Sequence, residues 1–273
     1  MAATASWIRS HRLTAFFALS YLLSWWAMIL YWIGVWPEPT FIPAGPLVAA
    51  VVVIAVADGR AGFRDLGSRL IRWRVPWYWY AVALGLPLAV RFGSVLVNGD
   101  APAPDWTGLA WTSVGLAFLV RLVNPMDGPL GEEPGWRGFA VPRLQAARSP
   151  LATTLVLGVL AAGWHLPLVL VGDIGPVGLV TTFTITIVYV WLFNRTSGSV
   201  LLTALFHSVQ GAVTMSDLGL AGTHLVRQEF VECVVWSTVA AGVLVLNRSA
   251  WQPARPVRPA LVRAPRPALA PAL

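Results

Sequence analysis

The stretch LATTLVLGVLAAGWHLPLVLV, Leu151–Val171, decides the fold class. It holds no acid and no arginine, and its one ionisable side chain is His165. An apolar run of about 20 residues is the length of helix that crosses the hydrocarbon core of a bilayer. Comparable runs flank it at Leu13–Val35, Phe41–Ala57, Trp77–Val97, Gly108–Val123, Val200–Met215 and Phe230–Leu246, with another ending near Phe193. The expected architecture is all-α: a polytopic membrane helix bundle of about eight transmembrane helices. Composition agrees, since 57% of residues are hydrophobic and only 11% charged, with a mean hydropathy of +0.68. Soluble domains carry roughly 25% charged residues.

The segments between the runs orient them. Arginines crowd the head (Arg9, Arg12), the connector after the second run (Arg60, Arg64, Arg69, Arg72, Arg74), the Arg143–Arg148 segment and Arg195. The alternate connectors hold Asp100, Asp105 and Asp173 and almost no base. Positive-inside bias then places both termini in the cytoplasm. Arg91 breaks the pattern from inside the third run, and is expected to snorkel or to pair with a buried acid. The net charge of +7 does not signal a nucleic-acid binder, because the basic residues sit in short links between apolar spans. All of them are arginine, with no lysine. We read this as the codon bias of a GC-rich bacterium, which implies a multi-pass protein of the bacterial inner membrane.

The first run lacks a small-residue cleavage site and reads as a retained start-transfer helix. Residues 1–246 read as one integral membrane domain. Residues 247–273 are rich in Pro, Ala and Arg and are expected to be a disordered tail. Arg255, Arg258, Arg263 and Arg266 would hold it near anionic headgroups. The single cysteine, Cys233, excludes an intrachain disulfide and a cysteine metal cage.

In so apolar a chain the run Glu132-Glu133-Pro134-Gly135-Trp136-Arg137 stands out. Ionisable residues at membrane depth are costly and mark functional sites by default. Pro134 suits a first helical turn, and carboxylates there meet the positive end of the helix dipole. Glu133 and Arg137, four apart, can pair on a helix, leaving Glu132 to face water or substrate. The alternative is an interfacial charge cluster with a structural ion pair. Two more runs each carry a lone histidine, His165 and His207. Either can be a packed core residue. Pro167 would weaken the backbone ladder beside His165 and admit water. Taken together, a glutamate and an imidazole can polarise a water for attack on an amide while a second imidazole faces the oxyanion. A metal held by two histidines and a carboxylate is a further option, although no H-E-x-x-H pair exists.

These residues resemble the motifs of the CAAX-protease and bacteriocin-processing (CPBP, or ABI) intramembrane endopeptidases, the type II CAAX prenyl endopeptidase-like proteins. The first motif, E-E-x-x-x-R, is matched by Glu132, Glu133 and Arg137 within GEEPGWRGFAVPRLQ. The second, F-x-x-x-H, is matched at His165, with Ala161 at the phenylalanine position. The third, H-x-x-x-N, is matched at His207, with Gly211 at the asparagine position, and NRTSGSVLLTALFHS around it is also family-like. The resemblance covers about residues 109–215. It implies that Glu132 and His165 activate water, that His207 helps hold the oxyanion, and that Glu133 and Arg137 brace the site. It also implies a metal-free glutamate mechanism, so no cofactor is expected, with a divalent metal left open. Gln210, three residues after His207, is the candidate substitute for the absent asparagine amide.

The implied function is hydrolysis of membrane-associated peptides or proteins, in peptide maturation or self-immunity. The expected partners are that substrate and the lipid bilayer, with no nucleic acid. A catalytically impaired membrane adaptor of the same fold is the alternative, favoured by Gly211. A small-solute transporter is a third class, and no internal repeat supports it. One geometric obstacle stands. Counted from the span starts, His165 lies about fourteen residues in and His207 about seven, a nominal depth difference of about 10 Å.

Overall fold

The computed structural model describes residues 2–98 and 109–252, and among these every regular element is helical. A short α1 (Ala2–Ser10) leads into α2 (Arg12–Trp32), then α3 (Gly45–Ala57), α4 (Gly59–Leu70) and α5 (Tyr78–Val97). After α6 (Trp111–Val123) comes a continuous helical stretch of α7 (Pro129–Glu133), a π-helical segment (Pro134–Ala140) and α8 (Val141–Gln145). The remaining helices are α9 (Pro150–Trp164), α10 (Leu166–Leu170), α11 (Val177–Arg195), α12 (Val200–Ala212) and α13 (Gly222–Leu246). Five are long and apolar enough to cross a bilayer: α2, α5, α9 with α10, α11 and α13. The shorter apolar helices are α3, α6 and α12.

The bundle has two chemically distinct ends. At one, Asp58 receives Arg12 at 2.7 Å and Arg143 at 2.6 Å, tying the starts of α2 and α4 to α8. Ser199 Oγ donates to the Arg72 carbonyl at 2.7 Å there, and the Arg195 guanidinium lies over the Trp79 ring. At the other end Asn98 donates to Gln228 at 2.8 Å, and Gln228 donates to Ser94 at 2.7 Å. The start of α2 and the end of α13 both sit at the arginine-rich end. Arg91 pairs with Glu232 of α13 at 2.7 Å, so burial inside the bundle is tolerated because the opposite charge is at hand.

Three expectations need correction. The described part of the run at 108–123 is shorter than the span expected. It forms α6, which like α3 and α12 is about 20 Å long, short of a hydrocarbon core of about 30 Å. Both of its ends sit where α5 and α12 finish: Leu109 and Val114 pack with Val95, Val213 and Leu218, and Arg121 lies over Gly211. Pro129–Gln145, the stretch read as a polar connector, is instead a helical element inside the bundle, with Trp136, Phe139 and Val141 fully buried. Second, the arginine-rich connector contains α4, an amphipathic helix that buries only Leu66. Third, the segment from residue 247 on begins folded, with Trp251 in a 3-10 turn, its indole buried and donating to the Val243 carbonyl at 3.3 Å. Residues 253–273, with the tail arginines, lie outside the described residues, as do Asp100 and Asp105.

Two glycines fix how α7 enters the bundle. A β-carbon on Gly135 would run into the Pro46 carbonyl, and one on Gly131 into the carbonyls of Pro43 and Pro125. Only glycine allows the start of α3 to lie backbone-to-backbone against the carboxylate helix.

Candidate active site

The Glu132–Arg137 run folds as the junction of a helix and a π-helical segment. Pro134 has no N–H to give the α-helical ladder, and wider turns of this kind recur at functional sites. Both carboxylates are buried, Glu132 at 7% and Glu133 at 0% exposure. Arg137 Nη1 donates to Glu133 Oε1 at 2.9 Å, and its guanidinium lies 3.9 Å from the centre of the Tyr189 ring. His207 Nδ1 is 3.0 Å from the same Glu133 oxygen. An ionised carboxylate only accepts, so His207 donates from Nδ1 and turns Nε2 away from Glu133.

His165 is oriented by a broken helix. α9 stops at Trp164, because Pro167 cannot donate and crowds the preceding turn. The His165 N–H turns back to the Ala162 carbonyl, and the freed Ala161 carbonyl accepts from His165 Nδ1 at 2.8 Å. A carbonyl only accepts, so Nδ1 carries the proton and Nε2 keeps its lone pair. The freed Trp164 carbonyl takes the Trp25 indole N–H at 3.0 Å. The His165 ring is held between Trp164, edge-on at 4.9 Å, and Phe41, stacked at 6.4 Å.

Glu132, His165 and His207 line one cavity of about 70 Å³, together with Gln210, Tyr189 and Trp136. Both histidines line this cavity although His165 lies farther from the start of α9 than His207 lies from the start of α12. Glu132 Oε1 and His207 Nε2 approach the same point: a β-carbon on Gly128 would lie 3.3 Å from the first and 3.7 Å from the second. Gly128 has φ +90°, a conformation that glycine adopts without strain. A second cavity, about 290 Å³, shares His165 and Thr182 with the first and extends past Arg91, Glu229 and Met215.

Gln210 also belongs here. Its Oε1 accepts from Tyr189 Oη at 2.8 Å, which leaves its amide hydrogens for the cavity. Two residues of the site escaped the sequence reading. Tyr189 looks like one more aromatic in an apolar helix, yet it touches Arg137, His207 and Gln210. Arg121 sits near the end of an apolar run, where an arginine passes for a topology marker; its signal was a charge inside a helix that is otherwise apolar. Among the described residues no three His, Cys, Asp or Glu side chains are grouped to hold a metal ion.

Residues 110–213 match the family model described as Type II CAAX prenyl endopeptidase Rce1-like. The match spans the residues that line the smaller cavity, Glu132, His165 and His207 among them. No curated protein matches the chain.

Proposed function

We propose that this multi-pass membrane protein, an Rce1-like protein over residues 110–213, is an intramembrane endopeptidase that uses Glu132 as general base. The observation that carries the reading is the shared cavity, which brings Glu132, His165 and His207 together from three separate helices.

The chemistry follows from what each group can hold. A water beside Glu132 gives its proton to the carboxylate, with His165 Nε2 as a second acceptor, and its oxygen attacks the scissile carbonyl carbon. The carbonyl oxygen becomes an oxyanion as the C–O bond forms. His207, held through Nδ1 by Glu133, donates from Nε2 to that oxyanion when its ring is the imidazolium. Collapse restores the carbonyl and breaks the C–N bond, and the proton on Glu132 passes to the leaving amine. Glu133 and Arg137 keep His207 in register, and Gln210 offers an amide from the wall. The adjoining larger cavity gives a polypeptide a path to the water. The substrate class is a membrane-associated peptide or protein, and the setting is a bacterial inner membrane with the arginine-rich end in the cytoplasm. Maturation of secreted peptides, or immunity to them, fits such a substrate.

The test is cleavage of a panel of membrane-inserted peptides by the full chain in lipid nanodiscs, beside Glu132→Gln. The variant keeps shape and loses the base. Expected is a kcat loss on the order of a hundredfold or more. Equal cleavage by both proteins would refute the assignment. If neither protein cleaves but both bind the same peptide, the chain acts as an adaptor.

A further inference from the structure

Position 211 lies one helical turn after His207 and carries no side chain, yet the space beside it is not empty. A β-carbon on Gly211 would overlap the guanidinium of Arg121, which rests flat on the α-carbon. Any larger residue at 211 would evict it. The same guanidinium reaches the reacting groups. Its Nη2 is 3.5 Å from the point on Gly128 that Glu132 Oε1 and His207 Nε2 also approach, so an acid, an imidazole and a cation converge there. Its hydrogen-bonding capacity is mostly unspent. Nη1 donates to Asp127 at 2.7 Å, whereas Nε is buried without a partner. Buried N–H groups of a charged fork are seldom left so, and each is costly unless something accepts from it.

Given the endopeptidase reading above, on which this inference rests, we propose that Arg121 faces the oxyanion of the scissile carbonyl. It takes the space that a side chain at position 211 would otherwise fill. When water attacks, the carbonyl double bond opens and negative charge gathers on its oxygen. The guanidinium meets that charge with donors from a planar fork; when the C–N bond breaks, the charge returns to the carbonyl and the contact weakens. Even paired with Asp127, a charged fork donates to this oxygen more strongly than a neutral amide does. The glycine at position 211, where the resembling family has asparagine, is then an exchange of donors rather than a loss of one.

The experiment uses the full chain in lipid nanodiscs and a membrane-inserted peptide that the wild type cleaves. Arg121→Ala is expected to lower kcat on the order of a hundredfold, with KM within about threefold, because the contact forms only in the transition state. Free guanidinium added at millimolar concentration refills the vacated space and restores kcat on the order of tenfold. Gly211→Asn alone evicts the arginine and is as slow as Arg121→Ala. The double variant Arg121→Ala/Gly211→Asn places an amide in the freed space and is faster than either single variant. Arg121→Lys keeps the charge and replaces Arg121→Ala if the latter does not fold; it is expected to lose about tenfold in kcat. Unchanged kcat in Arg121→Ala, or in Arg121→Lys if that variant stands in for it, overturns the inference and leaves the endopeptidase reading intact. So does a double variant that is slower than both singles. A wild type that cleaves nothing overturns both.

Discussion

Replacing Glu133 by glutamine removes one negative charge and changes almost nothing in volume. The structure makes that charge expensive to lose. Glu133 is fully buried, and one of its oxygens serves both Arg137 at 2.9 Å and His207 at 3.0 Å. Breaking a buried pair from one side costs about 3–5 kcal/mol, because the partner charge stays behind without compensation. The Tyr189 ring, 3.9 Å from the Arg137 guanidinium, remains and holds back about 1–2 kcal/mol of that. The expected net cost of Glu133→Gln is about 1–4 kcal/mol. It is read as a shift in reversible unfolding in mixed detergent micelles, followed by tryptophan fluorescence. Glu133→Gln/Arg137→Met removes both charges and should recover most of the loss, since the residual defect is a hydrogen bond rather than a stranded ion. A single-variant cost below about 1 kcal/mol, or a double variant that simply adds the two single losses, would refute the picture of a dry, mutually dependent pair.

Two further outcomes follow from particular contacts. Gly131→Ala drives a methyl into two backbone carbonyls that cannot rotate away. Expected is a destabilisation of about 1–3 kcal/mol, measured by the same unfolding assay, and ordinary stability in that variant would disprove the close approach of α3 and α7. Trp25→Phe leaves the Trp164 carbonyl at the broken end of α9 without its side-chain donor. We expect a loss of about 1 kcal/mol and a kcat reduced more than KM is raised, since His165 loses part of its support.

Much of the architecture was legible in the hydrophobic runs. The misreading at 108–123 has a clear physical cause. Trp111–Val123 is apolar enough to look like a span, whereas Pro129–Gln145 carries two carboxylates and an arginine and looks like a loop. Inside the fold those charges meet protein rather than lipid. Glu133 and Arg137 compensate each other, and Glu132 faces a cavity, so the polar helix occupies the bundle while the apolar one lies at its end. Hydropathy reads composition and does not see such pairing. The four-residue spacing of Glu133 and Arg137 was enough to read their ion pair. The meeting of His165 with His207 was not readable, because counting residues from span starts assumes that every helix begins at one depth. Arg121 stayed invisible for a different reason. Its relation to Gly211 is a contact between two helices, and no spacing along the chain encodes it.

The central claim is that Glu132 and His207 act on one substrate atom group as one site. The measurement that tests it most directly is a double-mutant cycle on kcat/KM for peptide cleavage, with Glu132→Gln, His207→Ala and the pair. Groups that act as a unit lose most of their effect with the first deletion. The double variant should therefore be about as slow as the slower single variant. If the two losses multiply, the groups work independently and the shared site is wrong.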